Sequence, residues 1–286
     1  MKHAGGMGKL IELCGPWRYQ DKAERHLLAG NRVTIALECL VKKKRCFLEH
    51  VDWKTIPWAA DPESKTLDLY LHDILCDVPG LLEDATNLEL SSLEMAQNLS
   101  LHRDLSSKIL VLLQTLYEWR VIWQQQNPDS CCEVPTSSPD HEAFSPNILF
   151  YSSISAAYEI CHYNAILLLI LRLGSQVIGP AFDPTNPSLH LTGGRDCGPL
   201  FSPGCALNAQ AVATEICKSV EFHLSYSASS DAAFLLLFPL RLAYQTFEPE
   251  SKETKWLSGI MRKIADISGF EISRSLGGQD FISTNS

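Results

Sequence analysis

The chain has 286 residues, 45% of them hydrophobic and 20% charged, with a mean hydropathy of -0.02. These values exclude a disordered chain and leave room for one large domain or two small ones, each with a sizeable core. Lys and Arg number 24 against 33 Asp and Glu, a net charge of -9; phosphate backbones are bound mainly by Lys and Arg displacing counterions, so direct nucleic-acid binding is not expected.

The elements follow in chain order. The N-terminal residues Met1 to Gly6 contain no apolar run of the kind a secretory signal carries. A helix is expected from Asn31 to about Glu49, closing on the basic run Lys42, Lys43, Lys44 and Arg45, which suits the negative end of a helix dipole. Leu67 to Cys76 reads as a short helix that stops before Val78, with Pro79 opening a new helix toward Leu99. From Leu105 the apolar residues recur as Ile109, Leu112, Leu116, Trp119 and Trp123. Alternating steps of three and four place them on one helical stripe.

Residues 126–147 are rich in Pro, Ser and Asp and read as a loop. A strongly apolar central helix is expected over Tyr151 to Leu173, followed by a second long loop over 174–207. Three further helices close the chain. The first carries Val212, Ile216 and Val220, the second runs from Asp231 to about Phe247, and the third carries Trp256, Ile260, Ile264 and Ile267. No strand-like alternation and no repeat is visible. The expected fold is all-α, a single domain over 1–286 of antiparallel helices joined by two long loops. The apolar runs Ala165 to Leu171 and Ala232 to Leu240 are too short to span a bilayer and read as core helices, so no membrane partner is expected.

The cysteines number 10, and only Cys131 and Cys132 are adjacent. No C-x2-C pair occurs, so no zinc ribbon or six-cysteine cluster can be built from local ligands, and no metal or cofactor is expected. In a reducing cytosol or nucleus most thiols would be buried and free.

Ordered segments of the chain resemble the C-terminal regulatory region of fungal zinc-cluster transcription factors. They begin with Gly6-Met7-Gly8-Lys9-Leu10-Ile11-Glu12 and Gly15-Pro16, then Trp53-Lys54-Thr55-Ile56-Pro57-Trp58. Asp77-Val78-Pro79-Gly80-Leu81-Leu82 and Asn127-Pro128-Asp129-Ser130 come next, then Tyr163-Asn164-Ala165 with its leucine run to Arg172-Leu173. The series ends with Glu215 to Leu224, Phe238-Pro239-Leu240-Arg241, Trp256-Leu257 and Gly269-Phe270-Glu271-Ile272. In that family a zinc cluster, a linker and further helices come first. Here Met1 stands close to the Gly-Met-Gly segment, so the chain is expected to lack its own DNA-binding domain. The resemblance implies a regulator in the nucleus or cytoplasm, working through a co-regulator, a homodimer or a small-molecule effector. It also implies a tie to a secondary-metabolite gene cluster. The alternative is a biosynthetic enzyme or small-molecule-binding accessory protein on the same scaffold.

Several groups invite chemistry. The run Lys42 to Arg45 fits a nuclear-import signal or a solvated helix end. Asp73 and Asp77, four apart, with His72, Glu83 and Asp84 nearby, could hold magnesium or serve as caps. His162, Asn164 and Arg172 interrupt one apolar helix, and Glu215, His223, Arg241 and Tyr244 interrupt later ones. They are candidate ligand-binding residues or internally satisfied core groups, with an Arg172–Glu215 or Arg241–Glu215 pair as a possible topology. Cys197 and Cys205, with His190 nearby, fit no zinc spacing. Gly5 to Lys9 lacks the first glycine and the hydroxyl residue of a phosphate loop, and neither G-x-S-x-G nor H-E-x-x-H occurs, so no catalytic residue is assigned.

Overall fold

A computed structural model describes residues 2–90, 95–137, 143–185, 198–204, 208–226 and 230–268. It is all-helical but for one two-stranded sheet, as the periodicity predicts. Nine α-helices occur among the described residues: α1 (Lys2–Cys14), α2 (Lys22–Lys42), α3 (Val51–Thr55), α4 (Leu67–Leu90), α5 (Met95–Gln126), α6 (Ile154–Val177), α7 (Ala209–Tyr226), α8 (Ser230–Thr246) and α9 (Lys252–Ser268). The chain divides into two compact units. Of the described residues, the first takes those up to Trp119 together with Leu173–Phe182; the second takes Arg120–Arg172 and those within Asp183–Asp280.

In the first unit, α2 begins where the Asp21 side chain accepts a hydrogen bond from the Ala23 backbone N–H at 3.0 Å. It ends at Lys43, whose left-handed backbone (φ 49) lets its N–H close on the Cys39 and Leu40 carbonyls. The helix thus starts earlier and stops earlier than the sequence suggests, because Lys43 and Lys44 are consumed by the cap. Between α2 and α4 runs a chain of short helical turns from Phe47 to Ser64. Short turns leave carbonyls unpaired, and α2 supplies the donors. Arg25 Nη1 donates to the Gln20 and Pro57 carbonyls, and Arg32 Nη1 to the Trp53 carbonyl, each at 3.3 Å.

Pro79 does not end a helix. α4 runs uninterrupted from Leu67 to Leu90 with Pro79 inside. Leaving one carbonyl without its helical donor costs about 3 kcal/mol, but Val78, Pro79, Gly80, Leu81 and Leu82 are all buried. Burial of that apolar stretch, at about 1.5–3 kcal/mol for each large side chain, outweighs the break. The stripe from Leu105 to Trp123 is realised in α5, with all six side chains buried. Gly174 in α6 sits against the Phe182 ring, which a Cβ would meet at 2.4 Å.

The second unit corrects the reading of one loop. Residues 126–147 are not wholly loop: β1 (Cys131–Pro135) pairs antiparallel with β2 (Asn147–Tyr151), Cys131 opposite Tyr151 and Pro135 opposite Asn147. The strands are seated on α7. Phe150 and Tyr151 pack edge-on against Phe222 with ring centroids 5.1 and 5.4 Å away. Glu221 accepts from the Ser137 N–H at 2.9 Å and the Thr136 hydroxyl at 2.6 Å, and Lys218 pairs with Glu133 at 2.7 Å. α7, α8 and α9 pack successively. Pro239, like Pro79, lies inside a helix. α6 is long and apolar enough to cross a bilayer by length and composition, beyond the short run read from sequence, and 78% of its most apolar window is buried within the protein.

Candidate functional site

The interrupting polar residues of the second unit fall into three groups. Asn164 and Glu215 meet: Asn164 Nδ2 donates to Glu215 Oε1 at 2.7 Å, and the Phe201 backbone N–H donates to Oε2 at 2.9 Å. Arg120, itself buried and lying over the Trp123 ring at 4.9 Å, adds a favourable charge. Burial nonetheless pushes the Glu215 carboxyl up from its ordinary range, against the pull of Asn164, Phe201 and Arg120. Below Glu215 on α7, the Ser219 hydroxyl donates to the Glu215 carbonyl and lies 2.8 Å from the buried Tyr151 hydroxyl.

Arg172 and Arg241, the arginines suggested as Glu215 partners, go elsewhere. Arg172 Nη1 donates to Gln245 Oε1 at 3.1 Å, and Arg241 lies buried with its guanidinium 5.8 Å from the Tyr244 ring centroid. The two histidines turn inward on their own helices. His162 Nδ1 meets the Tyr158 carbonyl at 3.2 Å with its ring beside Tyr158, and His223 Nδ1 meets the Ser219 carbonyl at 2.8 Å.

The acidic positions of α4 are met by cations of their own unit. Asp73 bridges Arg32 on one oxygen and Lys65 Nζ on the other at 2.5 Å. Asp77 pairs with Lys54 at 2.5 Å, Glu83 with Lys44 at 2.7 Å, and Asp84 with Arg45 at 2.5 Å and Lys108 at 3.1 Å. A magnesium site needs several carboxylates converging on one point, whereas each of these is already turned to a Lys or Arg. No group of three or more candidate ligands surrounds a point among the described residues. Three residues of the basic run also pair with carboxylates: Lys42 with Glu38, Lys44 with Glu83, and Arg45 with Glu49 and Asp84. Cys197, Cys205 and His190 lie outside the described residues.

What the sequence conceals is the cation side of Asp73. Arg32 is wholly buried, and its guanidinium lies 5.3 Å from the Trp58 ring centroid; Lys65 Nζ lies 5.0 Å from the same ring and 4.4 Å from that of Tyr70. Burial lowers the Lys65 ammonium against the pull of Asp73. Beside it His72 is 6% exposed, and neither ring nitrogen has a hydrogen-bond partner among the described residues, nor does the Trp58 indole N–H. Two cations against one carboxylate make this a cationic buried site.

Desolvation, aided by the Arg32 charge, carries the His72 imidazole down to about 3, and desolvation carries His223 down to about 4. Unfolded imidazole titrates near 6.5, so below about pH 6.5 the unfolded chain binds protons that the folded chain refuses. The stabilisation is complete above that value. It is lost as the pH falls, by about 1.4 kcal/mol per pH unit for each ring. Glu215 and Asp77, both raised by burial, act in the opposite sense, stabilising at low pH and losing that contribution as the pH rises through their folded values. Urea midpoints are therefore expected to fall from about pH 6 to about pH 4, and His72→Leu to reduce that slope by about one proton. A wild-type profile that is flat over this range would contradict the burial of both rings.

Geometry alone defines a mostly helical protein of two units, each with buried polar groups held in part by its own side chains. No family model, no curated protein and no solved structure matches the chain.

Proposed function

We propose that this chain is a transcription-factor-like regulatory protein that acts through protein contacts made by its N-terminal helical face. The observation that supports this reading most is the surface of α1 and the turn after it. Ile11 is buried and Gly8 faces Ile35 of α2, so the packed side of α1 is fixed. The outward side carries Leu10, 60% exposed, and Leu13, 73% exposed, with Trp17, 70% exposed, just beyond. Exposed leucines and tryptophan in one short stretch mark a contact surface, since scattered single residues are what an ordinary surface shows.

The resemblance to fungal zinc-cluster regulators adds the expected setting, nuclear or cytoplasmic and tied to secondary metabolism. Tethering tests the reading: the chain fused to a heterologous DNA-binding domain should change expression of a matching reporter several-fold relative to that domain alone. Unchanged expression from a well-folded, nuclear fusion would contradict it.

A small-molecule effector is the second reading, favoured by the unpartnered His72 and Trp58 groups beside Arg32 and Lys65. A ligand that binds only the folded state raises its thermal midpoint by mass action. Small carboxylates and phosphates are the first compounds to test, because the site carries excess positive charge.

A further inference from the structure

At the far end of β1, one carboxylate of α7 gathers donors from two neighbouring residues. Beyond Pro135 the ladder continues for one residue, with the Thr136 N–H on the Pro146 carbonyl at 2.9 Å. Thr136 and Ser137 then close on Glu221. The Thr136 hydroxyl donates to Oε2 at 2.6 Å, and the Ser137 N–H and hydroxyl both donate to Oε1, at 2.9 and 2.5 Å. Hydrogen bonds to an ionised acceptor are the strong kind, so these form a clasp between strand and helix. The clasp lies at the surface: Ser137 is exposed and Glu221 half-buried.

We propose that Ser137 is a phosphorylation site whose occupation releases the end of β1 from α7. The Ser137 oxygen attacks the terminal phosphorus of a nucleoside triphosphate, and a new O–P bond forms. The bond from that phosphorus to its bridging oxygen breaks, the diphosphate leaves with the electron pair, and the hydroxyl proton passes to a base of the transferring kinase. Ser137 is the acceptor because its hydroxyl is the exposed one of the clasp, whereas Thr136 is half-buried. Pro135 beside them is exposed too, so lifting this end into a kinase uncovers no core. In sequence, Asp140 follows Ser137 by three residues and Glu142 by five. Kinases choose substrates by charge pattern, and this one suits a kinase that selects acidic residues after the acceptor.

The consequence follows from the charges. A phosphoserine carries about −1.5 to −2 charges near pH 7, on oxygens that accept hydrogen bonds. On Ser137 it stands against the Glu221 carboxylate, so attraction at the clasp becomes repulsion. Lys218, one turn back on α7, is paired with Glu133 of the same strand at 2.7 Å. Turning its ammonium to the phosphate would give up Glu133, so a link between β1 and α7 is lost in either case. The rings seated on Phe222, Phe150 and Tyr151, belong to β2. The release is therefore confined to β1, and α7 keeps its packing.

The test is treatment of the folded full chain with an acid-directed serine kinase and adenosine triphosphate, followed by phosphopeptide mapping and amide hydrogen exchange. Ser137 is expected to be the principal acceptor. Peptides covering Cys131 to Thr136 should exchange several-fold faster in the phosphorylated chain, with α7 peptides unchanged. Glu221→Lys should remove that effect, because the phosphate then faces an ammonium and the strand stays protected. Should that variant not fold, Glu221→Gln serves, and there phosphorylation should speed the exchange less than in the wild type. A chain that takes up no phosphate, or takes it on Ser138 and not on Ser137, would overturn the site. Phosphate on Ser137 that leaves the exchange of β1 unchanged would overturn the release.

Discussion

Asp73→Ala is expected to lower the unfolding free energy by about 3–5 kcal/mol, the loss found when one partner of a buried ion pair is removed. Asp73 faces the wholly buried Arg32 and the Lys65 ammonium, whose side chain is 8% exposed. Removing the carboxylate leaves two cations together in a site that water scarcely reaches, where their repulsion adds to the desolvation of each. An exposed pair such as Lys42–Glu38, whose lysine is 60% exposed, contributes far less by contrast, because water screens it. Urea unfolding at neutral pH measures both. The attraction itself is not what makes Asp73 necessary. Replacing Arg32 and Lys65 by methionine along with Asp73→Leu should recover most of the loss, because an apolar cluster of similar volume carries no stranded charge. A loss under about 1 kcal/mol in Asp73→Ala would mean that the cluster is solvated.

Glu215→Ala should cost roughly 2–4 kcal/mol, since it strands the buried Asn164 Nδ2 and the partly buried Phe201 N–H. Glu215→Gln should fall between the variant and the wild type. Its single carbonyl oxygen can accept from one donor, while its amide group faces the other. The pH dependence separates charge from shape. A carboxyl raised by burial stabilises the fold below its unfolded pKa and loses that contribution as the pH rises through its folded value. Glu215→Gln should therefore be closest to the wild type near neutral pH and fall behind it on the acid side. Equal stability of the alanine variant and the wild type would show that Asn164 and Phe201 find other acceptors.

Legibility in the sequence tracked the range of the interaction. The stripe from Leu105 to Trp123 is a local repeat of one helix, and it was readable at once. Pro79 misled because its local cost is visible in the sequence, while the burial of Val78, Leu81 and Leu82 that offsets it depends on packing partners elsewhere. The sheet was missed for a similar reason. Cys131 to Pro135 shows no alternation of its own, and Tyr151, next to Phe150, reads as the start of the following helix. They become a strand because Phe222, some seventy residues on, receives them.

The polar core was legible as a set and not as pairs. Interruptions of apolar helices picked out Asn164, Glu215, Arg172 and Arg241, but opposite charge favoured an arginine for Glu215, and the chain supplies Asn164 instead. Asp73 and His72 stood out as polar residues among Leu71, Ile74 and Leu75. Arg32 lies 41 positions from Asp73, and nothing in its neighbourhood announces an ion pair. A sequence clue did exist, for Arg25 and Arg32 stand seven apart on one face of α2, where two long donors reach the same layer of turns.

The central claim is that the α1 face, rather than the polar core, carries the activity. The most direct test is the tethered reporter, read with two variants of matched stability. Leu10→Asp with Leu13→Asp changes the row on α1, while Val111→Asp changes an apolar residue of α5 that is 62% exposed. The account predicts that the α1 variant abolishes the reporter response with its thermal midpoint unchanged, and that Val111→Asp retains it. A full response from the folded α1 variant would contradict the claim and move the search for function to the buried Arg32, Lys65 and His72 site.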